Sequence, residues 1–491
     1  MTSRLHPSLS FLWGCLIFTS LILTACAQTT PVTPATLTPQ PAPSSPAPPA
    51  TSSPASSPTS PLPTPSFTSS PSPTPRDPWE AVDPSGQSIV FWHGQQYDRE
   101  QVLLDLVAEF NASNPWSIQV QAVSHPGQND LFYAVRDSLN TAAAPDLTYL
   151  FQNQAATLQR FDGLVDLNSL LHSPRWGIPE AELAQIPSAI LNQDNFPTLN
   201  NIRLGFPTYR SAEVLYINLD WLAELGYSRL PQTPQDFKEM ACKASQQPFS
   251  RKTGSTGNTG YAISIDASRF SSWIFAFGGE LVSPETYIYT FISPAAIQAM
   301  QFVQDLVLSG CAQVANGRYQ DQNGFAEGAY LFTLGTSAGI PFYARAVEES
   351  ARFTWDVSAL PHTTHEPRLN VYGPSLSILR STPEKELAAW LLLQHLAAPQ
   401  AQARWAAISQ YLPAHPAAAE FLTDLFTQLP AYQTAYQLLA YAQSEPNLPG
   451  YEDVRDLVGE ALLEIVQGAD VETTLAALNA RANTILEDQG R

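Results

Sequence analysis

The sequence predicts an α/β fold built on a parallel sheet. Between residues 88 and 151, short apolar runs alternate with segments whose apolar residues recur at helical spacing, in the order strand, helix, strand, helix, strand. Farther along the chain, three helix starts are marked by a hydroxyl residue followed by proline. Strand–helix–strand order requires crossover connections, which place neighbouring strands parallel to one another.

The first five elements follow from their patterns. The apolar run 88–92 predicts a buried strand, and residues 98–110 a helix that ends before an Asn-Pro pair. Alternation over 118–122 predicts a second strand, helical spacing over 131–139 a second helix, and the apolar run 147–151 a third strand. Ligands of parallel sheets bind beyond the carboxyl ends of the strands. Those ends are predicted at Trp92-His93, Ser124-His125 and Phe151-Gln152.

Later helices are predicted from their start signals and their spacing. In each start signal the hydroxyl caps free backbone N–H groups and proline takes the first helical position. The three starts are Thr233-Pro234, Ser293-Pro294 and Thr382-Pro383. Apolar residues at helical spacing over 454–465 and 475–486 predict two further helices at the end of the chain.

The N-terminus has the layout of a lipoprotein signal peptide. Arg4 precedes an apolar run over 9–23, which is short for a bilayer span of about 20 residues. The run ends in the sequence LTAC, which resembles a bacterial lipobox whose cysteine, Cys26, becomes the lipidated first residue. We predict a signal peptide over 1–25 and a lipid anchor on Cys26. A plain secretory signal cut at a small-residue site is the alternative.

Residues 26–76 are predicted to form a disordered tether. The stretch 29–75 is rich in Pro, Ser, Thr and Ala and contains no charged residue, so it cannot bury enough apolar area to offset chain entropy. An O-glycosylated stalk is the alternative. The whole chain of 491 residues has 24 basic and 44 acidic residues, for a net charge of -20. This balance argues against nucleic acid or an anionic membrane surface as partner.

Two cysteines remain after export, Cys242 and Cys311, because Cys15 leaves with the signal peptide and Cys26 carries the lipid. Outside the cytoplasm, two leftover cysteines favour a disulfide over a metal pair. We therefore predict the Cys242–Cys311 bond and keep the metal pair as the alternative.

The strongest enzymatic pattern is Gly335–Gly339, which matches the G-x-S-x-G motif of serine hydrolases. Asp356 and one of the downstream histidines, His362, His365, His395 or His415, could nominally complete a triad with Ser337. However, Pro341 follows the motif by two residues, and no Gly-rich segment upstream could form an oxyanion hole. We favour a strand-to-helix turn whose backbone N–H groups face a cleft, and keep a hydrolase using Ser337 as the alternative.

Metal-binding patterns are incomplete. His362 and His365 lie in a loop between prolines without helical spacing or a third ligand nearby. Asp321 begins a fragment similar to a calcium loop, but no Glu stands at its twelfth position. We predict neither a metal site nor a cofactor.

Several aromatic residues lie beside Gly, Pro, Ser or polar residues. They are Trp92, Tyr209, Tyr216, Trp273, Trp355, Tyr372 and Tyr411. Flat aromatic faces suit the apolar faces of sugar rings, while core packing is the alternative for each residue. Lys and Arg are scarce around these positions, with Arg210 and Arg318 as exceptions. This scarcity favours an uncharged ligand over a phosphate or carboxylate.

From about residue 86 to its end, the chain resembles extracellular solute-binding proteins (family 1) of ATP-binding cassette (ABC) transporters, in the maltose-binding-protein-like branch. The resemblance rests on short segments in a fixed order: IVFWH at 89–93, LVAEFN at 106–111, PDL at 145–147, GFPT at 205–208, LYIN at 215–218, PQTPQDF at 231–237, FAEGA at 325–329, YGPSL at 372–376 and YLPA at 411–414. Two positions depart from the family pattern: Pro234 stands where Trp is usual, and Pro374 replaces the second glycine of a Gly-Gly pair.

The resemblance implies a periplasmic-binding-protein-like fold, with two discontinuous α/β lobes and a ligand cleft between them. The N-lobe is expected over 77–205 and 361–411, and the C-lobe over 206–360 and 412–491. Chain crossings are expected near 203–208, 360–372 and 410–415. The candidate ligand-binding residues are Trp92, His93, Gln152, Tyr209, Tyr216, Trp273, Gly278, Gly279, Tyr372, Gly373 and Tyr411.

The implied function is capture of a neutral carbohydrate by lobe closure and its delivery to membrane permease subunits of an importer. The protein is expected to be a monomer outside the cytoplasm, on the periplasmic or cell-surface face of the membrane. It is expected to carry out no catalysis and to bind no nucleic acid. A polyol or glycerol phosphate is the alternative ligand.

Overall fold

The structure is a computed structural model that describes residues 77–317 and 319–490. The predicted signal peptide, Cys26 and the tether lie outside the described residues. Within the described residues, no helix is both long enough and apolar enough to cross a bilayer.

The described strands are β1 (Ser88–His93), β2 (Gln119–Ser124), β3 (Leu147–Leu150), β4 (Asn195–Phe196), β5 (Ile202–Arg203), β6 (Tyr209–Asn218), β7 (Thr259–Ile263), β8 (Ala312–Val314), β9 (Tyr330–Thr336), β10 (Trp355–Ser358), β11 (Leu369–Tyr372), β12 (Ser375–Ile378), β13 (Leu412–Pro413) and β14 (Ala442–Ser444).

The described α-helices are α1 (Tyr97–Ser113), α2 (Gln128–Ser138), α3 (Gln152–Gln159), α4 (Asn168–Leu171), α5 (Glu180–Leu183), α6 (Ser188–Leu191), α7 (Leu219–Glu224), α8 (Pro234–Gln246), α9 (Ala267–Ala276), α10 (Pro294–Leu308), α11 (Gln320–Ala326), α12 (Ile340–Glu349), α13 (Pro383–Ala397), α14 (Pro399–Ser409), α15 (Thr423–Gln428), α16 (Pro430–Gln437), α17 (Tyr451–Val466) and α18 (Val471–Asp488).

The first sheet has the strand order β12-β3-β1-β2. β1 runs parallel to β2 and β3, as predicted, and β12 runs antiparallel to β3. Helix α13 packs against β1 and β12, and α1 packs against α13 and α14. This sheet and its helices form the N-lobe, whose core includes Phe91, Leu147 and Trp390.

The second sheet is built around the long strand β6. Its order is β14-β11-β6-β9-β7-β8, and β10 and β13 also pair with β6. Helix α9 packs against β11, α10 and α17, and α17 packs against α18. This sheet and its helices form the C-lobe, whose core includes Phe237, Trp273 and Phe332.

The predicted helix starts are confirmed, with one difference in capping. Helices α8, α10 and α13 begin at the prolines of the three start signals. The side chains of Thr233 and Ser293 accept backbone N–H groups of their first turns, at 3.1 and 3.3 Å. Thr382 makes no such bond. At this helix start, the Glu386 carboxylate accepts the N–H of Ser381 at 2.8 Å.

The chain passes between the two sheets three times. The first passage leads to β6 through residues 204–208 from β5, which pairs with β4 in a separate two-stranded sheet. The second joins β11 to β12 through Gly373 and Pro374, and the third joins α14 to β13. The second passage lies beyond the expected lobe boundary at 360/361. Strand β11 still pairs with β6, with Val371 opposite Ala212, and the pairing ends at Tyr372, two residues before Pro374, which has no N–H for a strand ladder.

Cys242 in α8 and Cys311 after α10 form a disulfide bond, with 4.2 Å between their Cα atoms. The prediction of a disulfide is therefore confirmed, and the alternative of a metal-binding cysteine pair is wrong. The bond ties together two helices of the C-lobe.

Candidate functional site

A cavity of about 600 Å³ lies between the two lobes. On the N-lobe side it is bounded by Arg99 of α1 and by Tyr411 of the third passage. The C-lobe contributes Arg269, Tyr319, Asp321, Gln322, Asn323, Gly335, Thr336, Ala338, Gly339, Phe342, Tyr343 and Arg345. Because both lobes supply the walls, a change in the angle between the lobes would change the size of this cavity.

The N-lobe wall is a stack of side chains around Tyr411. The guanidinium carbon of Arg99 lies 5.0 Å from the centroid of the Tyr411 ring, and the Arg99 Nη2 donates to the carbonyl of Ser409 at 2.9 Å. The Tyr411 ring also contacts the ring of Tyr209, with 4.9 Å between centroids. These contacts hold Arg99 and Tyr411 in a defined position at the edge of the cavity.

The turn Gly335–Gly339 forms part of the C-lobe wall, which agrees with the favoured interpretation of the G-x-S-x-G motif. Gly335, Thr336, Ala338 and Gly339 line the cavity, whereas Ser337 is fully buried. The Ser337 Oγ accepts the backbone N–H of Ala212 at 3.0 Å. Among the described residues, no histidine forms a hydrogen bond with this serine.

A partly buried ionic cluster lies at the C-lobe wall, which Arg269 lines. The Arg269 Nη1 is 3.3 Å from a carboxylate oxygen of Glu213 and 3.4 Å from one of Asp266. Burial raises the pKa of Glu213 to about 7, although the charge of Arg269 opposes this shift. The charge on the wall near Arg269 therefore depends on pH in the neutral range.

The three predicted strand ends meet at one edge of the N-lobe sheet. The ring of Trp92 lies 4.7 Å from that of His125, centroid to centroid, and is partly buried. His93 is fully buried, neither of its ring nitrogens has a hydrogen-bond partner, and burial lowers its pKa. Gln152 is buried too and donates to the carbonyl of Gly373 at 3.2 Å. Gln152 and Gly373 therefore belong to the junction of the lobes.

Tyr372 lies where the two lobes touch. Its ring stacks on that of Phe151 with 4.6 Å between centroids, and the guanidinium carbon of Arg455 lies 4.7 Å from its centroid. Nearby, the Asn153 side chain of the N-lobe donates to Glu452 of the C-lobe at 3.2 Å. A second groove of about 470 Å³ opens there, between α2, α3 and the start of α17.

In the structure, the candidate residues Tyr209, Tyr216 and Trp273 are at most 2% exposed and do not line the cavity. Trp273 packs between core rings of the C-lobe, and its indole N–H donates to Tyr261 at 3.2 Å. The Tyr216 hydroxyl donates to the carbonyl of Thr336 at 2.7 Å. In this conformation these rings are covered and offer no face to a ligand. The residues that cover them come from distant parts of the chain, so the local sequence does not show their burial.

Gly278 and Gly279 follow the end of α9 and line none of the cavities described above. Gly278 has a φ of 80°, the left-handed region that favours glycine. A Cβ on Gly279 would lie 2.6 Å from the side chain of Ile274. Both glycines are thus explained by the turn that ends the helix.

Sequence reasoning missed most of the cavity wall. Arg99, Tyr319, Phe342 and Arg345 were not assigned to the site, although Tyr319 and Phe342 are 56% and 44% exposed. A signal existed in α12, where Tyr343 and Val347 face the core and leave Phe342 and Arg345 on the other side. Within the described residues, no three His, Cys, Asp or Glu side chains come together as a metal site.

A family model described as "Bacterial extracellular solute-binding protein" matches residues 105–434. The chain belongs to this family. Among sequence relatives of this solute-binding protein is a protein of Deinococcus radiodurans named "Probable ABC transporter-binding protein", which is 26% identical over 314 residues, 59% of this chain and 69% of the relative.

Solved structures show the same fold. The sugar-binding protein MalE of Xanthomonas citri is 20% identical, with a TM-score of 0.70 over 82% of this chain and 98% of its own. The cyclic alpha-maltosyl-1,6-maltose binding protein of Arthrobacter globiformis is 19% identical, with a TM-score of 0.69 over 82% and 99%. UgpB of Mycobacterium tuberculosis, solved with glycerophosphocholine, is 21% identical, with a TM-score of 0.65 over 82% and 99%.

The predicted periplasmic-binding-protein-like fold with two lobes is thereby confirmed. The protein is a bacterial extracellular solute-binding protein, and the cavity between its lobes is the candidate ligand site.

Proposed function

We propose that this solute-binding protein captures a carbohydrate between its lobes and delivers it to the permease subunits of an importer. The observation that carries the proposal is the cavity between the lobes, on which aromatic and hydrogen-bonding groups from both sides converge. The rings of Tyr411 and Phe342 can pack on the apolar faces of a sugar, while Asp321 and Thr336 can bond its hydroxyl groups.

Capture proceeds by closure of the lobes about the three chain passages. A few residues at such passages can absorb the change in backbone angles, as in other periplasmic binding proteins. A ligand that touches both walls favours the closed form only by the difference between its affinities for the two forms. The closed form is then the one that the permease subunits recognise.

The names of the solved relatives support a carbohydrate as the first ligand class to test. One of them is named for cyclic alpha-maltosyl-1,6-maltose and another as a sugar-binding protein, and a third was solved with glycerophosphocholine. The sequence favours an uncharged sugar, with a polyol or glycerol phosphate as the alternative.

The test is a thermal-shift screen of the mature protein in detergent against maltose, maltotriose and other mono- and oligosaccharides, with amino acids as controls. A bound sugar stabilises the folded state by RT ln(1 + [L]/Kd), which is about 2.7 kcal/mol at a hundredfold excess over Kd. No shift with any saccharide would contradict the carbohydrate assignment.

We also propose that the protein is anchored outside the cytoplasm through a lipid on Cys26 and acts as a monomer. The LTAC sequence and the charge-free stretch that follows it support the anchor. A Cys26→Ser variant should leave the membrane fraction, and the wild-type N-terminal peptide should carry the mass of its acyl chains. Retention of the variant in membranes would contradict the anchor.

A further inference from the structure

We propose that the captured solute carries an acidic group, a carboxylate, sulfate or phosphate, which is bound between Arg99 of the N-lobe and Arg345 of the C-lobe. This inference rests on the proposed function and replaces the sequence-based expectation of an uncharged ligand. The two arginines line the cavity from opposite lobes.

Arg99 is held in position but keeps most of its hydrogen-bonding capacity. One of its N–H groups donates to the carbonyl of Ser409, and its guanidinium lies over the ring of Tyr411. A guanidinium has five N–H donors, so the remaining ones can serve a ligand. Within the described residues, no carboxylate lies within 4 Å of Arg99. Its charge is therefore uncompensated.

Arg345 is the corresponding group on the other wall. It is an exposed residue on α12, and within residues 77–317 and 319–490 it forms neither an ion pair nor a hydrogen bond. Other exposed arginines of the C-lobe do have acidic partners, such as Arg352 with Glu348 and Arg481 with Glu460. Arg345 is thus a cation that faces the cavity without a protein partner.

The remaining charges of the cavity do not cancel this pair. Arg269 is paired with the carboxylates of Glu213 and Asp266, at 3.3 and 3.4 Å. Asp321 is the acidic residue of the wall, and one of its oxygens accepts the hydroxyl of Ser264 at 2.8 Å. Two unpaired arginines therefore face one carboxylate, in a chain where acidic residues outnumber basic ones by 44 to 24.

An acid group fits this arrangement better than a neutral one. Arginine presents a planar fork that matches carboxylate and phosphate oxygens, and such charge-assisted bonds are stronger than neutral ones. The acidic surface of the protein repels anions at long range. Two unpaired cations in the cavity therefore indicate that an anionic group binds there. Because one arginine belongs to each lobe, an acid that contacts both favours the closed form.

The experiment measures Kd by isothermal titration calorimetry with matched pairs of solutes. The acidic members are D-glucuronate, D-glucose 6-phosphate, sn-glycerol 3-phosphate and tri-galacturonate, and the neutral ones are D-glucose, glycerol and methyl-esterified tri-galacturonate. We expect at least one acidic member to bind about tenfold or more tightly than its neutral counterpart, with a preference that shrinks in 0.5 M NaCl. The identity of that member distinguishes carboxylate from phosphate.

The variant Arg345→Gln should abolish the preference for the acidic solute, and its exposed position avoids damage to the fold. Arg352→Gln is the matched control, because that residue is exposed on the same lobe and does not line the cavity. If neutral solutes bind as tightly as acidic ones, or if Arg345→Gln preserves the preference, the inference is overturned while the proposed function stands. If no sugar or polyol of either kind binds, both are overturned.

Discussion

Arg210 and Asp194 form a buried ion pair at the junction of the two lobes, with 3.3 Å between Nη2 and Oδ2. Both side chains are at most 3% exposed. The hydroxyl of Ser375 donates to the same Asp194 oxygen at 2.6 Å and accepts from Arg210 at 2.8 Å. The Arg210 Nη1 also donates to the carbonyl of Pro374 at 3.2 Å. One guanidinium thus connects the first and second chain passages.

Removing one partner of this pair should strongly destabilise the protein. Asp194→Ala leaves Arg210 buried without a counter-charge, so we expect the free energy of unfolding to fall by about 3–5 kcal/mol. Urea denaturation followed by tryptophan fluorescence measures the change. Arg481→Ala is the control, because its pair with Glu460 is 60% exposed on both sides and should contribute less than about 1 kcal/mol. Equal effects of the two variants would contradict the structural role of the buried pair.

The Cys242–Cys311 bond should stabilise the C-lobe by restricting its unfolded chain. The two residues are separated by 69 positions, and a loop of that size corresponds to roughly 4 kcal/mol in the chain-entropy model. We expect the double variant Cys242→Ala/Cys311→Ala to lower the urea midpoint, and dithiothreitol to lower only that of the wild type. A wild-type midpoint that dithiothreitol does not change would show that the bond contributes nothing.

Glu213 should make stability depend on pH below neutrality. Its pKa is raised to about 7 in the folded protein from an ordinary value of 4.5. Between pH 4.5 and about 7, the folded state binds a proton at Glu213 that the unfolded state does not bind. This protonation therefore stabilises the folded state fully below pH 4.5, and the stabilisation is lost as the pH rises through about 7. The surrounding charges are Arg269, Asp266, Glu445 and Arg455.

The variant Glu213→Gln isolates this effect because glutamine does not titrate. We expect the difference in stability between wild type and variant to change by on the order of 1–3 kcal/mol between pH 8 and pH 5, with the wild type gaining at low pH. Thermal unfolding at several pH values measures it. Parallel pH profiles for the two proteins would show that Glu213 titrates normally.

Ser337→Ala should leave ligand binding unchanged. The hydroxyl accepts the N–H of Ala212 inside the core, so its loss should cost about 1–2 kcal/mol of stability. Turnover of p-nitrophenyl esters by the wild type should not exceed the buffer rate. An esterase activity that disappears in Ser337→Ala would revive the hydrolase alternative.

Replacing Tyr411 or Trp273 by alanine should affect different properties: the ligand Kd for Tyr411 and the free energy of unfolding for Trp273. Trp273→Ala removes a core ring and should lower the free energy of unfolding by about 3–5 kcal/mol with little effect on the ligand Kd of the folded fraction. Tyr411→Ala removes a cavity wall and the support of Arg99, so it should raise the Kd. Calorimetry on both variants separates the outcomes. Loss of affinity in Trp273→Ala alone would place the ligand elsewhere.

Local chemistry in the sequence determined the first three strands, three later helix starts and the order of the first five elements. The pairs Thr233-Pro234 and Ser293-Pro294 begin helices because a hydroxyl cap and a fixed proline φ act within one turn of the chain. The run 147–151 gave β3 because a strand of a covered parallel sheet is apolar on both faces. The order of short segments also indicated the family.

Which aromatic residues line the cavity was decided only by tertiary structure. Tyr411 lines the cavity and Trp273 fills the C-lobe core, although both stand beside polar neighbours in the sequence. The burial of a ring depends on packing partners far along the chain, such as Phe302 for Trp273. Arg99 and Arg345 are likewise 246 positions apart in the numbering and meet at one cavity because the lobes fold against each other. The periodicity of apolar residues within one segment does not predict which residues from distant segments come together.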